Sequence, residues 1–131
     1  MSGLPAPLRW IPAVSMMGLI FILSSLPGSR LPDFGRWNIV FERGGHALGY
    51  ALLGLAYYFA LPRRLSIGYR CATALFMALL FALSDEYHQS FVQGRSSDLG
   101  DVAVDGIGAA MALALGAGYS ANSSSKSKSR C

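Results

Sequence analysis

Four apolar blocks, each near the length of one bilayer crossing, constrain this chain more than any other feature. They run over about 8–26, 44–61, 65–89 and 101–119, with the third ending in a polar segment. Pro27-Gly28 closes the first block and Pro62 the second, and no breaker follows the third before Gly94. A helix needs about 20 apolar residues to cross a hydrocarbon core. Most of these blocks lack the polar face that a helix in water requires. Only 14% of the residues are charged, against about 25% in a soluble domain. The expected fold is therefore all-α, an integral membrane four-helix bundle over residues 1–119. Arg9 and the apolar run behind it also suit a cleaved signal segment, but the run is long and Pro27 fits a cleavage site poorly, so an uncleaved first helix is expected. The Ser- and Lys-rich stretch 120–131 reads as a disordered cytoplasmic tail.

Basic residues set the expected orientation. Of the 11 Lys and Arg residues, seven (Arg9, Arg63, Arg64, Arg70, Lys126, Lys128 and Arg130) fall on the side of the termini. Four (Arg30, Arg36, Arg43 and Arg95) fall on the other. This places both termini in the cytoplasm, with the protein multi-pass in the cell inner membrane. The net charge of +4 has no basic face interleaved with aromatics, so no nucleic-acid partner is expected; membrane lipids are. Cys71 and Cys131 form no disulfide framework and are expected to stay reduced on the cytoplasmic side.

All seven acids (Asp33, Glu42, Asp85, Glu86, Asp98, Asp101 and Asp105) and both histidines then lie on the outer side. Ionisable side chains at membrane depth are costly unless paired. On the second helix Arg43, His46, Tyr50, Leu53 and Tyr57 form one stripe. It reads either as packed aromatics with a capping histidine or as His46 and Tyr50 pointing into a polar cavity. On the third helix Asp85, His88 and Gln89 share a face, with Glu86 beside it. A carboxylate with a histidine at i+3 suits an ion pair, acid–base work or metal ligation, but no known metal-site spacing occurs and no metal or cofactor is expected. Arg95 can clamp Asp85, Glu86 or Asp101, or hold an anionic ligand through its fork. Asp98 or Asp101 suits the start of the fourth helix, whereas Asp105 lies a turn inside it. Gly108, Ala112 and Gly116 form a small-residue ridge that suggests a central fourth helix, and Gly45 with Gly49 forms a weaker one.

Taken together, Glu42-Arg43-Gly44-Gly45-His46 with Tyr50, the run Ser84 to Arg95, and Asp101-Val102 followed by Asp105 and Gly108 resemble the VanZ-like family of membrane proteins. The resemblance covers about 42–118. Gln93 stands where that family usually has proline, and Asp105 where it usually has asparagine. Founding members lie in glycopeptide-resistance clusters and lower sensitivity to teicoplanin, so the resemblance implies a cell-envelope role without an agreed reaction. Three functions remain open. One is an outward-facing pocket binding an envelope lipid headgroup or cell-wall precursor, with Arg43, His46, Tyr50, Gln89, Arg95 and Asp101 as ligand contacts. Another is a membrane-embedded hydrolase or transferase drawing on His46, Asp85, Glu86, His88 and Asp105. The third is a structural assembly partner, as a homo-oligomer or beside another membrane protein.

Overall fold

The computed structural model describes residues 3–129, so Arg130 and Cys131 lie outside the described residues. All regular elements among them are helical. Helix α1 spans Ala6–Ser24 and is interrupted by a turn at Trp10. Pro12 accounts for the interruption. It has no N–H to donate to Leu8, and its ring crowds that carbonyl. Helix α2 spans Asn38–Ala60, α3 Ile67–Gln89 and α4 Leu99–Lys128. Three of the four, α1, α3 and α4, are long and apolar enough to cross a membrane. Helix α2 falls short because Glu42, Arg43 and His46 interrupt its first half.

The helix ends follow local chemistry. Leu61 is pushed to ψ 147° ahead of Pro62, which stops α2. Ser66 caps α3 by accepting the N–H of Tyr69 at 3.3 Å. Asp98 caps α4 by accepting that of Gly100 at 2.9 Å, leaving Asp101 in the first turn. Two bounds differ from the sequence reading. Helix α2 starts at Asn38 rather than 44, because Asp33 accepts from Gly35 and Asn38 and organises the turn ahead of it. Helix α4 runs to Lys128 rather than ending at Tyr119, so the segment expected to lack order is helical as far as it is described. No proline or glycine follows Gly118. Tyr58 also bonds Ser120 at 3.1 Å, and Lys126 and Lys128 complement the helix's negative end.

Helix α2, not α4, is the central element. It packs against each of the others, whereas α4 touches only α2 and α3. Its buried face carries Tyr50, Leu53, Gly54, Tyr57 and Tyr58. Opposite it, α3 presents Ala74, Ala78 and Ala82 at four-residue steps, all buried. The α4 ridge makes the closest approach, with a Cβ at Gly108 colliding with the carbonyl oxygen of Ala47. Gly45 meets nothing within 4 Å, and Gly49 touches only Ile20, so the α2 glycine pair does not seat a helix as expected. Phe76, Leu80, Ile107, Met111, Leu115 and Tyr119 remain exposed around the outside, which suits lipid as the surrounding solvent. At the end away from the acids, Arg70 is buried. It donates to the Tyr58 carbonyl at 2.6 Å and stacks over the Tyr58 ring at 4.0 Å.

Gly108→Ala is expected to destabilise the bundle by about 1–3 kcal/mol, because the clash is with backbone. Gly118→Ala, in open space, is expected to be neutral or stabilising by up to about 1 kcal/mol. Thermal unfolding of the two variants in detergent checks the contrast; equal melting temperatures would refute the close approach.

Candidate functional site

The acidic end of the bundle contains a cavity of about 850 Å³ between α1, α2, the 25–37 loop and the turn after α3. Ser24, Asp33, Glu42, His46, Tyr50 and Arg95 are among its polar groups. Leu19, Ile20, Leu23, Leu48 and Leu52 extend its wall along the two helices. Gly28 and Gly94 close the mouth. The Gly28 N–H donates to the Gln93 carbonyl at 3.1 Å, and a Cβ at Gly28 would strike the Gly94 carbonyl oxygen. Gly94 has φ +75°, a backbone conformation that favours glycine.

This turn directs Arg95 away from the partners expected for it. Its Nη1 donates to Glu42 Oε1 at 2.8 Å, not to Asp85, Glu86 or Asp101. Those three are already engaged. Glu86 accepts the Asp98 N–H at 3.0 Å, and Asp101 pairs with Arg43 Nε at 2.9 Å. Asp85 Oδ2 accepts from Ser24 Oγ at 2.7 Å, from Gln89 Nε2 at 3.2 Å and from Tyr50 OH at 3.4 Å. The Arg95 side chain is only 5% exposed, and its Nε has no partner.

The site residues named from the sequence therefore divide. His46, Tyr50 and Arg95 line the cavity. Asp85 and Gln89 lie behind Tyr50 and Ser24 and hold them. Asp105 is 1% exposed, and its Oδ2 lies 3.7 Å from His46 Nδ1, too far for a hydrogen bond. Arg43 is half-exposed outside the cavity and bridges Asp98 and Asp101 at the start of α4. His88 faces α1, with Nε2 2.9 Å from Ser25 Oγ and its ring stacked on Phe21 at 4.3 Å. Among the described residues no three His, Cys, Asp or Glu side chains converge on a metal position.

Sequence reasoning missed Ser24, Ser25 and the partnership of Glu42 with Arg95. A signal for the serines was present, because two hydroxyls end an apolar run at the same boundary as Asp85. At the mouth, the Asp33 carboxyl is held below its usual range by the Gly35 N–H, aided by the Asn38 amide.

The model of the VanZ/LLP1 family matches residues 8–117. The chain belongs to that family. The match extends beyond the 42–118 resemblance to include α1, and with it Ser24 and the apolar wall of the cavity. No curated protein and no solved structure matches the chain. Gln93, at the family's usual proline position, still closes the turn, since its carbonyl receives Gly28 and the Arg95 N–H reaches the Val92 carbonyl at 3.2 Å.

Two variants test this division. Asp85→Ala strands the donors of Ser24, Gln89 and Tyr50 and is expected to cost roughly 2–4 kcal/mol in detergent unfolding. Asp105→Asn removes a buried carboxylate that has no hydrogen bond and is expected to leave the melting temperature equal or higher. A marked drop in Asp105→Asn would mean that the acid is compensated in a way this geometry lacks.

Proposed function

We propose that this VanZ-family protein binds a cell-envelope component, a lipid headgroup or cell-wall precursor, in the cavity beside Arg95. The observation that carries the reading is a nearly buried guanidinium in the lining of the cavity, held by one carboxylate through Nη1 and with no partner for its Nε among the described residues. A guanidinium fork holds phosphate or carboxylate through two parallel hydrogen bonds. Glu42, half-exposed, is a partner that a ligand can displace. His46, Tyr50 and Ser24 add hydrogen-bonding groups around the ligand. Given four crossings of the inner membrane, the basic-residue asymmetry supports both termini in the cytoplasm and the cavity facing outward. The family resemblance supports a link to glycopeptide sensitivity.

A catalytic reading has one favourable observation. His46 lines the cavity with Asp105 behind it, which is the order of a base and its orienting acid. Turnover of a labelled envelope lipid, lost in His46→Gln, would favour a hydrolase or transferase over binding. Glu86 is poorly placed as the base, because it is buried outside the cavity on the Asp98 N–H.

Arg95→Ala at normal membrane levels is expected to co-purify several-fold less phosphorus-containing amphiphile, measured by mass spectrometry of lipid extracts, and to abolish any protection against teicoplanin. Undiminished co-purification would refute the proposal. Orientation has its own check. In a variant with both native cysteines replaced by serine, Ser96→Cys is expected to react with a membrane-impermeant maleimide in intact cells; labelling only after lysis would reverse the topology.

A further inference from the structure

The charges lining the cavity do not suit a purely anionic ligand. With the His46 imidazole neutral, the lining holds one guanidinium, Arg95, and two carboxylates, Glu42 and Asp33. Asp33 binds the neutral donors of Gly35 and Asn38 and has no cationic partner among the described residues, so it stands as a solvated carboxylate at the mouth. Glu42 already meets Arg95 at 2.8 Å. A headgroup carrying only negative charge would add to an excess of acid. One carrying a phosphate and an ammonium would satisfy both signs, the phosphate displacing Glu42 from Arg95 and the ammonium taking up the freed carboxylate.

The apolar wall narrows the class further. Leu19 and Leu23 on α1, and Leu48 and Leu52 on α2, each lie one turn apart, a rise of about 6 Å. All four border the cavity, and all are about half-exposed or more. A soluble sugar has little to place against them, and an acyl chain matches their one-turn spacing along both helices. A volume of about 850 Å³ also exceeds what a bare headgroup would fill.

We infer that the cavity takes one phospholipid with a primary ammonium in its headgroup, the phosphate on Arg95, the ammonium toward Glu42 and Asp33, and an acyl chain along the α1–α2 leucines. The inference rests on the reading of the cavity as an envelope ligand site. A quaternary ammonium has no N–H for the two carboxylates, so the site discriminates ethanolamine from choline headgroups as well as from glycerol.

The test is native mass spectrometry of the full chain in detergent, titrated singly with dioleoyl phosphatidylethanolamine, phosphatidylglycerol and phosphatidylcholine. The ethanolamine lipid is expected to bind about tenfold more tightly than either of the others, the equivalent of about 1.4 kcal/mol. The double variant Asp33→Asn/Glu42→Gln is expected to bring the three lipids to within about twofold of one another. Arg95→Ala is expected to weaken all three together; if it fails to fold, Arg95→Lys, which keeps the charge and loses the fork, supplies an intermediate loss. Equal or tighter binding of phosphatidylglycerol or phosphatidylcholine would overturn the headgroup assignment and leave the ligand site standing. Wild-type binding of all three lipids by the folded Arg95 variant would remove both.

Discussion

The Asp85 carboxylate is the interaction on which the acidic end depends. It is 3% exposed and accepts hydrogen bonds from three helices at a single oxygen. A buried charge held this way is weak evidence of net stability, because its desolvation offsets much of the gain. Its effect is on arrangement. Helix α1 buries only Ala13, Ile20 and Ser24, so little apolar packing attaches it to the bundle. The Ser24 bond fixes where α1 ends relative to α2 and α3. That in turn fixes the gap between α1 and α2, which is the cavity. The Tyr50 contact ties the opposite wall to the same carboxylate.

The remaining polar groups divide by partner. Glu86, Asp98, Asp101 and Arg43 answer one another around the start of α4 and leave little for a ligand. Arg95 and His46 are less committed. Arg95 has one carboxylate, itself half-exposed, and His46 has an acid beyond hydrogen-bond range. In a low-dielectric setting an incompletely paired polar group is expensive. Such groups beside an open space are where a ligand gains most by binding.

Much of the fold was legible in the sequence, because apolar blocks of bilayer length punctuated by proline and glycine leave few alternatives. The small-residue ridge on α4 correctly signalled close approach, and Gly108 against Ala47 bears this out. Centrality was misjudged, because a ridge shows that a helix is approached and not how many neighbours it has. Among the site residues, periodicity placed Asp85 and Gln89 on one face, and it could do no more. Which acid Arg95 meets is decided by the direction of a turn at positive φ, and helical spacing carries no information about that. The position of Ser24 at the polar boundary was legible, but its partner was not. A serine at the end of an apolar run looks like a boundary residue until another helix brings a carboxylate beside it.

The mouth of the cavity shows how the two loops depend on each other. Arg95 and Glu42 are 53 residues apart in sequence, and their contact exists only when the turn after α3 lies against the first turns of α2. The same turn is held against the loop after α1 by the Gly28–Gln93 hydrogen bond and a backbone approach with no room for a side chain. A proline at position 93 would stiffen the turn, but its ring is not needed for the contact, because only the carbonyl is used. Glutamine preserves the acceptor while leaving φ less restricted. The turn that carries Arg95 is thus held by hydrogen bonds and close packing rather than by a locked ring. A ligand joining Arg95 to the α1–α2 wall would tie that turn to the two helices it leans on, so occupancy of the cavity and order at its mouth are coupled.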